Sequence, residues 1–151
     1  MGNRMIAGVL VTPLREIDTP GGNVFHAIKA SDAGYCGFGE AYFSTAQPGK
    51  IKPWKRHNRM TLNLVVPIGK VRFILYDERT DSPSKNMFAE VVLGNPGHYA
   101  RLTVPPGIWM AFQGVAEQTS WLLNVADLPH DPAEADRKTL NEIPYDWSEI
   151  K

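Results

Sequence analysis

Apolar residues in this chain come in runs of seven to nine, and almost every run is closed by proline or glycine. Twelve prolines and thirteen glycines are spread along 151 residues, so no apolar stretch is long enough to build a core helix without interruption. The runs themselves have strand character. GVLVTPL comes first, then NVFHAIKA after the turn signal DTPGGN, then GEAYFSTAQ ending at Pro48-Gly49. TLNLVVPIG sets Leu62, Leu64 and Val66 against Thr61, Asn63 and Val65, the period of a half-buried strand. KVRFILYDE follows with Val71, Phe73 and Leu75 on one face, so the two segments form a hairpin or one strand bent around Pro67. FAEVVLG, ARLTVPPG, IWMAFQGV and SWLLNVAD complete a series of nine. Strands at roughly ten-residue spacing are the signature of a sandwich or barrel. The expectation is a single all-β domain over residues 1–151, a jelly roll. Trp109 and Trp121 are expected in its core. A short polar helix over PAEADRKTL, capped by Asp131, is expected outside the core. Tyr145 and Trp147 in the C-terminal tail predict that the tail docks.

Charge narrows the range of partners. Lys+Arg and Asp+Glu both number 16, so no field extends over the whole surface to attract nucleic acid or a membrane. No run approaches the roughly 20 apolar residues of a membrane helix, and the N-terminal apolar run is broken too early by Pro13 for a signal peptide. Cys36 is alone, which rules out an internal disulfide. A cytoplasmic location is the expectation. Anion binding must come from a local cluster, and the dense one is KPWKRHNR, residues 52–59. It leads directly into the TLNLVV strand.

Four segments, in order, carry a resemblance. FGEAYFSTAQPGKIKPWKRH resembles F-x-Q-x-N-x-S…G-x-x-R-G-L-H-x-Q of the dTDP-4-dehydrorhamnose 3,5-epimerase family, and the spacing fits without a gap. GKVRFILYDER resembles that family's G-x-V-x-D-V-x-V-D-x-R. VPPGIWMAF resembles I-P-x-G-F-x-H-G-F, and NEIPYDW resembles the terminal N-D…I-x-W. The resemblance implies a cupin-like jelly roll without metal or cofactor and a homodimer in which an N-terminal strand completes the partner's sheet. It also implies a nucleotide-linked 4-keto-deoxysugar as ligand. Metal-bearing cupins hold their ion with converging histidines. Here His57 stands alone, Lys55 occupies the position two residues earlier, and His26, His98 and His130 lie elsewhere.

The family's catalytic set is altered. Its base histidine falls on Lys55, its phosphate-contacting arginine on Lys52, and the leucine between them on Trp54. The glutamine after the base falls on His57, and the histidine of H-G-F on Met110. The general-acid tyrosine falls near Leu122 or Leu123. The arginine of the early D-x-R-G motif is lost at Asp18-Thr19-Pro20-Gly21. What remains is Lys55 and His57, two residues apart and therefore on one side of a strand. One can take a proton while the other holds the developing oxygen anion. Burial beside other cations lowers a lysine pKa toward that use. Lys55 and His57 are the candidate catalytic pair. Lys52, Glu40, Tyr42, Trp54 and Arg59 are candidate substrate contacts, Glu40 and Tyr42 because they fall on the family's glutamine and asparagine positions. Two readings stay open, an epimerase or isomerase and a silent nucleotide-sugar-binding module. A lectin-like domain is a weaker third, since it does not need the basic cluster.

Overall fold

A computed structural model describes residues 5–148, so the single-domain reading over 1–151 extends past it at both ends. Eleven strands are present among the described residues: β1 (Leu10–Pro13), β2 (Glu16–Ile17), β3 (Val24–Phe25), β4 (Glu40–Ala46), β5 (Ile51–His57), β6 (Leu62–Asp77), β7 (Phe88–Asn95), β8 (Ala100–Val104), β9 (Ile108–Gly114), β10 (Ser120–Ala126) and β11 (Ala135–Arg137). Every pairing between them is antiparallel. One sheet runs β1-β8-β6-β10-β4 and the other β7-β6-β9-β5-β11. The first half of β6 lies in one sheet and the second half in the other. This is the jelly roll that the strand spacing predicts.

The bend in β6 has a local cause. Pro67 offers no N–H to a ladder, and Gly69 takes φ +88. A Cβ at Gly69 would sit 2.2 Å from the Ser120 hydroxyl, so only glycine lets β10 pass. The Ser120 hydroxyl fills the corner, accepting from the Lys70 N–H and donating to the Lys70 carbonyl. TLNLVVPIG and KVRFILYDE are thus one bent strand and not a hairpin.

Alternation along the strands sends Leu62, Leu64, Phe73, Leu75, Leu102 and Leu122 between the sheets, where all are buried. A second apolar cluster forms outside the barrel. Trp54, Ile74 and Trp109 face outward from the second sheet, and the tail covers them with Ile143, Tyr145 and Trp147. The tail docks as its aromatics predict.

Three expectations are corrected. The 132–140 segment is not a helix. A 3-10 turn, Pro132–Glu134, capped by the Asp131 side chain, runs into β11, which pairs with β5, and a second such turn, Leu140–Glu142, follows. The open edge of β5 offers ladder hydrogen bonds that a short polar helix could not match, because its face has too little apolar surface to bury. NVFHAIKA forms only the two-residue β3, paired with β2. The chain beyond it lies over the outer face of the first sheet, where Arg101 donates to the Ala27 and Ala33 carbonyls. Trp121 is not core. It sits at an outward position on β10, 44% exposed and edge-on to Phe43.

Candidate active site

A cavity of about 400 Å³ opens between the two sheets, within the range of small-molecule sites. β5, β9 and β11 supply its ionisable wall. β4, β6, β8 and β10 supply a mostly apolar opposing wall that includes Leu62, Leu64 and Leu122, broken by Tyr42, Ser44 and Asn124.

The ionisable wall depends on an irregularity. Lys52 and Lys55 are three residues apart, which in a regular strand places them on opposite faces. The β5–β9 register shifts between Lys52 and Lys55, around Pro53. The extra residue of this bulge resets the alternation. Lys52, Lys55 and His57 consequently all line the cavity. Lys52 rests 5.5 Å over the Phe112 ring. Arg56 points the other way, to Asp136 at 2.7 Å and onto Trp109.

His57 is held by a carboxylate that the sequence reading does not single out. Its Nδ1 lies 2.6 Å from Glu134 Oε1, and Glu134 Oε2 accepts from the backbone N–H groups of Arg59 and Met60. Burial pushes the Glu134 carboxyl up, but these bonds and the His57 charge outweigh it and hold the group at about 2. Glu134 is therefore ionised at neutral pH. It accepts a hydrogen bond from the His57 Nδ1–H, which leaves Nε2 as the ring nitrogen not engaged by the carboxylate. Seventy-seven residues separate the two partners in the chain. The clue available in the sequence is the acidic stretch DPAEAD, complementary to KRHNR.

Arg137, opposite Lys55 in the β5–β11 ladder, also lines the cavity, as does Lys138. Burial lowers the Lys55 pKa, Arg137 lowers it further, and Glu134 partly opposes them. The expected substrate contacts divide. Lys52 and Tyr42 line the cavity. Trp54 borders it, but its indole is 1% exposed, donates to the Leu140 carbonyl and packs in the outer cluster, so it offers no stacking platform. Glu40 begins β4 opposite Ala126, outside the lining, with one carboxylate oxygen buried and unbonded. The Arg59 side chain lies outside the lining and reaches 3.7 Å toward Asp131, leaving only its backbone N–H in the site. Among the described residues, no group of three or more His, Cys, Asp or Glu side chains is placed to hold a metal, and no helix is long and apolar enough to cross a membrane.

Two sheets closed over a cavity with ionisable groups on one wall define a cupin-fold protein whose cavity is of a size to take a small molecule. No protein-family model matches the chain. A solved dTDP sugar isomerase from Desulfovibrio desulfuricans G20 superposes with a TM-score of 0.91 at 34% identity, covering 97% of this chain and 94% of that one. A probable low-salt glycan biosynthesis epimerase, Agl13, of Haloferax volcanii is 28% identical over 107 residues, 70% of this chain. That match spans 66% of the haloarchaeal protein, just under two thirds of its length. The spore coat polysaccharide biosynthesis protein SpsL of Bacillus subtilis is 25% identical over 94% of this chain and 91% of its own. The chain belongs to the family of the Desulfovibrio dTDP sugar isomerase. A Bacillus anthracis dTDP-4-dehydrorhamnose 3,5-epimerase, solved with TDP and PPi bound, shares the fold at a TM-score of 0.81 and 16% identity, covering 95% of this chain and 87% of its own.

Proposed function

We propose that the chain is an epimerase or isomerase of a nucleotide-linked 4-keto-deoxysugar, with His57 as base and Lys55 as the group that holds the oxygen. The observation that carries this reading is the His57–Glu134 pair, at 2.6 Å, on a cavity wall whose other ionisable groups are the cations Lys52, Lys55, Arg137 and Lys138. A proton next to a ketone becomes removable when its electron pair can move onto the carbonyl oxygen. The base must be unprotonated near neutral pH and aimed at the carbon. Glu134 fixes the His57 tautomer and stabilises the imidazolium that forms. Lys55, two residues away on the same wall, then donates to the enolate oxygen. A cation earns most where water is excluded and charge develops only during reaction. Lys52, Arg137 and Lys138 take the diphosphate, whose charge their local cluster matches although the chain as a whole is neutral.

The test is solvent exchange. Wild-type protein with dTDP-4-keto-6-deoxyglucose in deuterated water is expected to exchange hydrogen next to the ketone, read by NMR, and His57→Asn to lose about 10²–10⁴-fold. A melting shift with dTDP but no exchange would overturn the enzyme reading in favour of a silent binding module. A homodimer belongs to this proposal. β1 is an edge strand that exposes Leu10 and Val11, open to a second copy. A monomer by light scattering removes it. A cytoplasmic location also belongs to this proposal, since a charged nucleotide sugar would be made and consumed there. Fractionation that places the chain elsewhere would remove that location.

A further inference from the structure

Inverting a carbon next to a ketone takes two proton-transfer groups, one on each face of the enolate. His57 stands on the β5 wall, and Lys55 beside it serves the same face. The opposite wall is largely aliphatic; Tyr42 and Ser44 bear its hydroxyls, and the phenol is much the stronger acid of the two. Tyr42 lies on β4, in register with Asn124 of β10, and the two belong to the sheet that faces His57 across the cavity. The Asn124 amide donates to the Tyr42 hydroxyl oxygen at 3.0 Å. No acceptor among the described residues takes the phenol's own proton, and Tyr42 lines the cavity while 41% exposed. A phenol that accepts a hydrogen bond through its oxygen and keeps its proton uncommitted is arranged to give that proton away. The accepted bond also stabilises the phenolate left behind. Asn124 carries a second mark of an incomplete site. It is 3% exposed and lines the cavity, yet its Oδ1 is buried with no partner. An unmet buried acceptor beside a cavity fits a hydroxyl supplied by a ligand.

Resting on the catalytic reading of the cavity, we propose that Tyr42 is the second catalytic residue, delivering a proton from the wall opposite His57. Asn124 is its positioning residue and the acceptor for a sugar hydroxyl. The chemistry is then an inversion. His57 Nε2 removes the proton as the C–H bond breaks, and the electron pair moves to the ketone oxygen beside Lys55. The carbonyl re-forms as the carbon takes the Tyr42 hydroxyl proton on its other face. The phenolate and the imidazolium return to their starting states by exchange with water. No redox step or further reagent is involved.

The experiment compares solvent exchange with inversion for wild type, Tyr42→Phe and Asn124→Leu, using dTDP-4-keto-6-deoxyglucose in deuterated water. Tyr42→Phe keeps the ring and removes only the hydroxyl. It is expected to lose inverted product by about 10²-fold or more. It should still place deuterium next to the ketone with retention, because His57 can remove and return a proton on its own face. Asn124→Leu should shift the same ratio in the same direction. A residue that merely packs or binds would lower exchange and inversion together, so an unchanged ratio in Tyr42→Phe overturns the assignment. Exchange without inversion by the wild type also overturns it, while leaving the proposed function standing. No exchange by the wild type removes both.

Discussion

Replacing Glu134 with glutamine separates charge from shape at the centre of the site. The carboxylate is buried, faces His57 and receives two backbone N–H bonds. Its pKa falls from an ordinary 4.5 to about 2. At roughly 1.4 kcal/mol per pH unit, that difference corresponds to about 3 kcal/mol in favour of the folded, ionised form. The folded pKa is the depressed one, so the contribution is complete above about pH 5 and is lost as pH falls toward 2. Glutamine keeps an oxygen for a backbone N–H but carries no charge, and so resembles the protonated acid. Glu134→Gln is therefore expected to be about 2–3 kcal/mol less stable than wild type at pH 7 by urea unfolding, a drop of very roughly 5–10 °C in melting midpoint. At pH 3 the gap should have narrowed to about half or less. Asp77 is also held below the usual carboxylate range: burial raises it, but bonds from Arg79, Ser82 and Ser84 outweigh that. Both proteins keep Asp77, so its titration cancels in the difference. Equal stability at pH 7, or a gap that does not narrow by pH 3, would refute the claim that an ionised Glu134 supports His57.

The other predictions concern separate links in the chain of argument. Lys55→Met should lower turnover by about 10²–10³ and leave the melting midpoint unchanged or higher, because burial opposes the Lys55 charge; a midpoint several degrees lower would make it a structural lysine. Gly69→Ala should cost more than about 2 kcal/mol in urea unfolding, combining a left-handed φ with a clash against Ser120. Trp54→Ala should cost about 3–5 kcal/mol, since the ring is buried under the tail. A loss under 1 kcal/mol would mean the tail contributes little to folding.

Strand positions were readable because alternation and punctuation act within a few residues. Leu62, Leu64, Phe73 and Leu75 face the interior as their period requires. The side from which a residue is covered is not a local property. Trp54, Trp109 and Trp121 have similar contexts, yet the tail buries the first two outside the barrel and nothing among the described residues covers the third to the same degree. The 132–140 segment has helix-friendly composition, but its structure is decided by the free edge of β5, distant in sequence. The same distance hid Glu134 and Arg137, which reach the site through β11 and the turn that leads into it. Lys52 was placed on the cavity side by resemblance. The reason it can share a face with Lys55 is the bulge at Pro53, which no periodicity count contains.

The bent strand β6 is interior in both sheets, with β8 and β10 flanking its first half and β7 and β9 its second. A two-layer protein usually offers a seam along which one layer can loosen while the other persists. Here that seam is bridged by continuous backbone. The two layers should therefore behave as one cooperative unit, with β6 amides exchanging only through global opening and early exchange confined to the edge strands β1, β4, β7 and β11. A site whose walls come from different layers thereby keeps its spacing as long as the protein is folded at all.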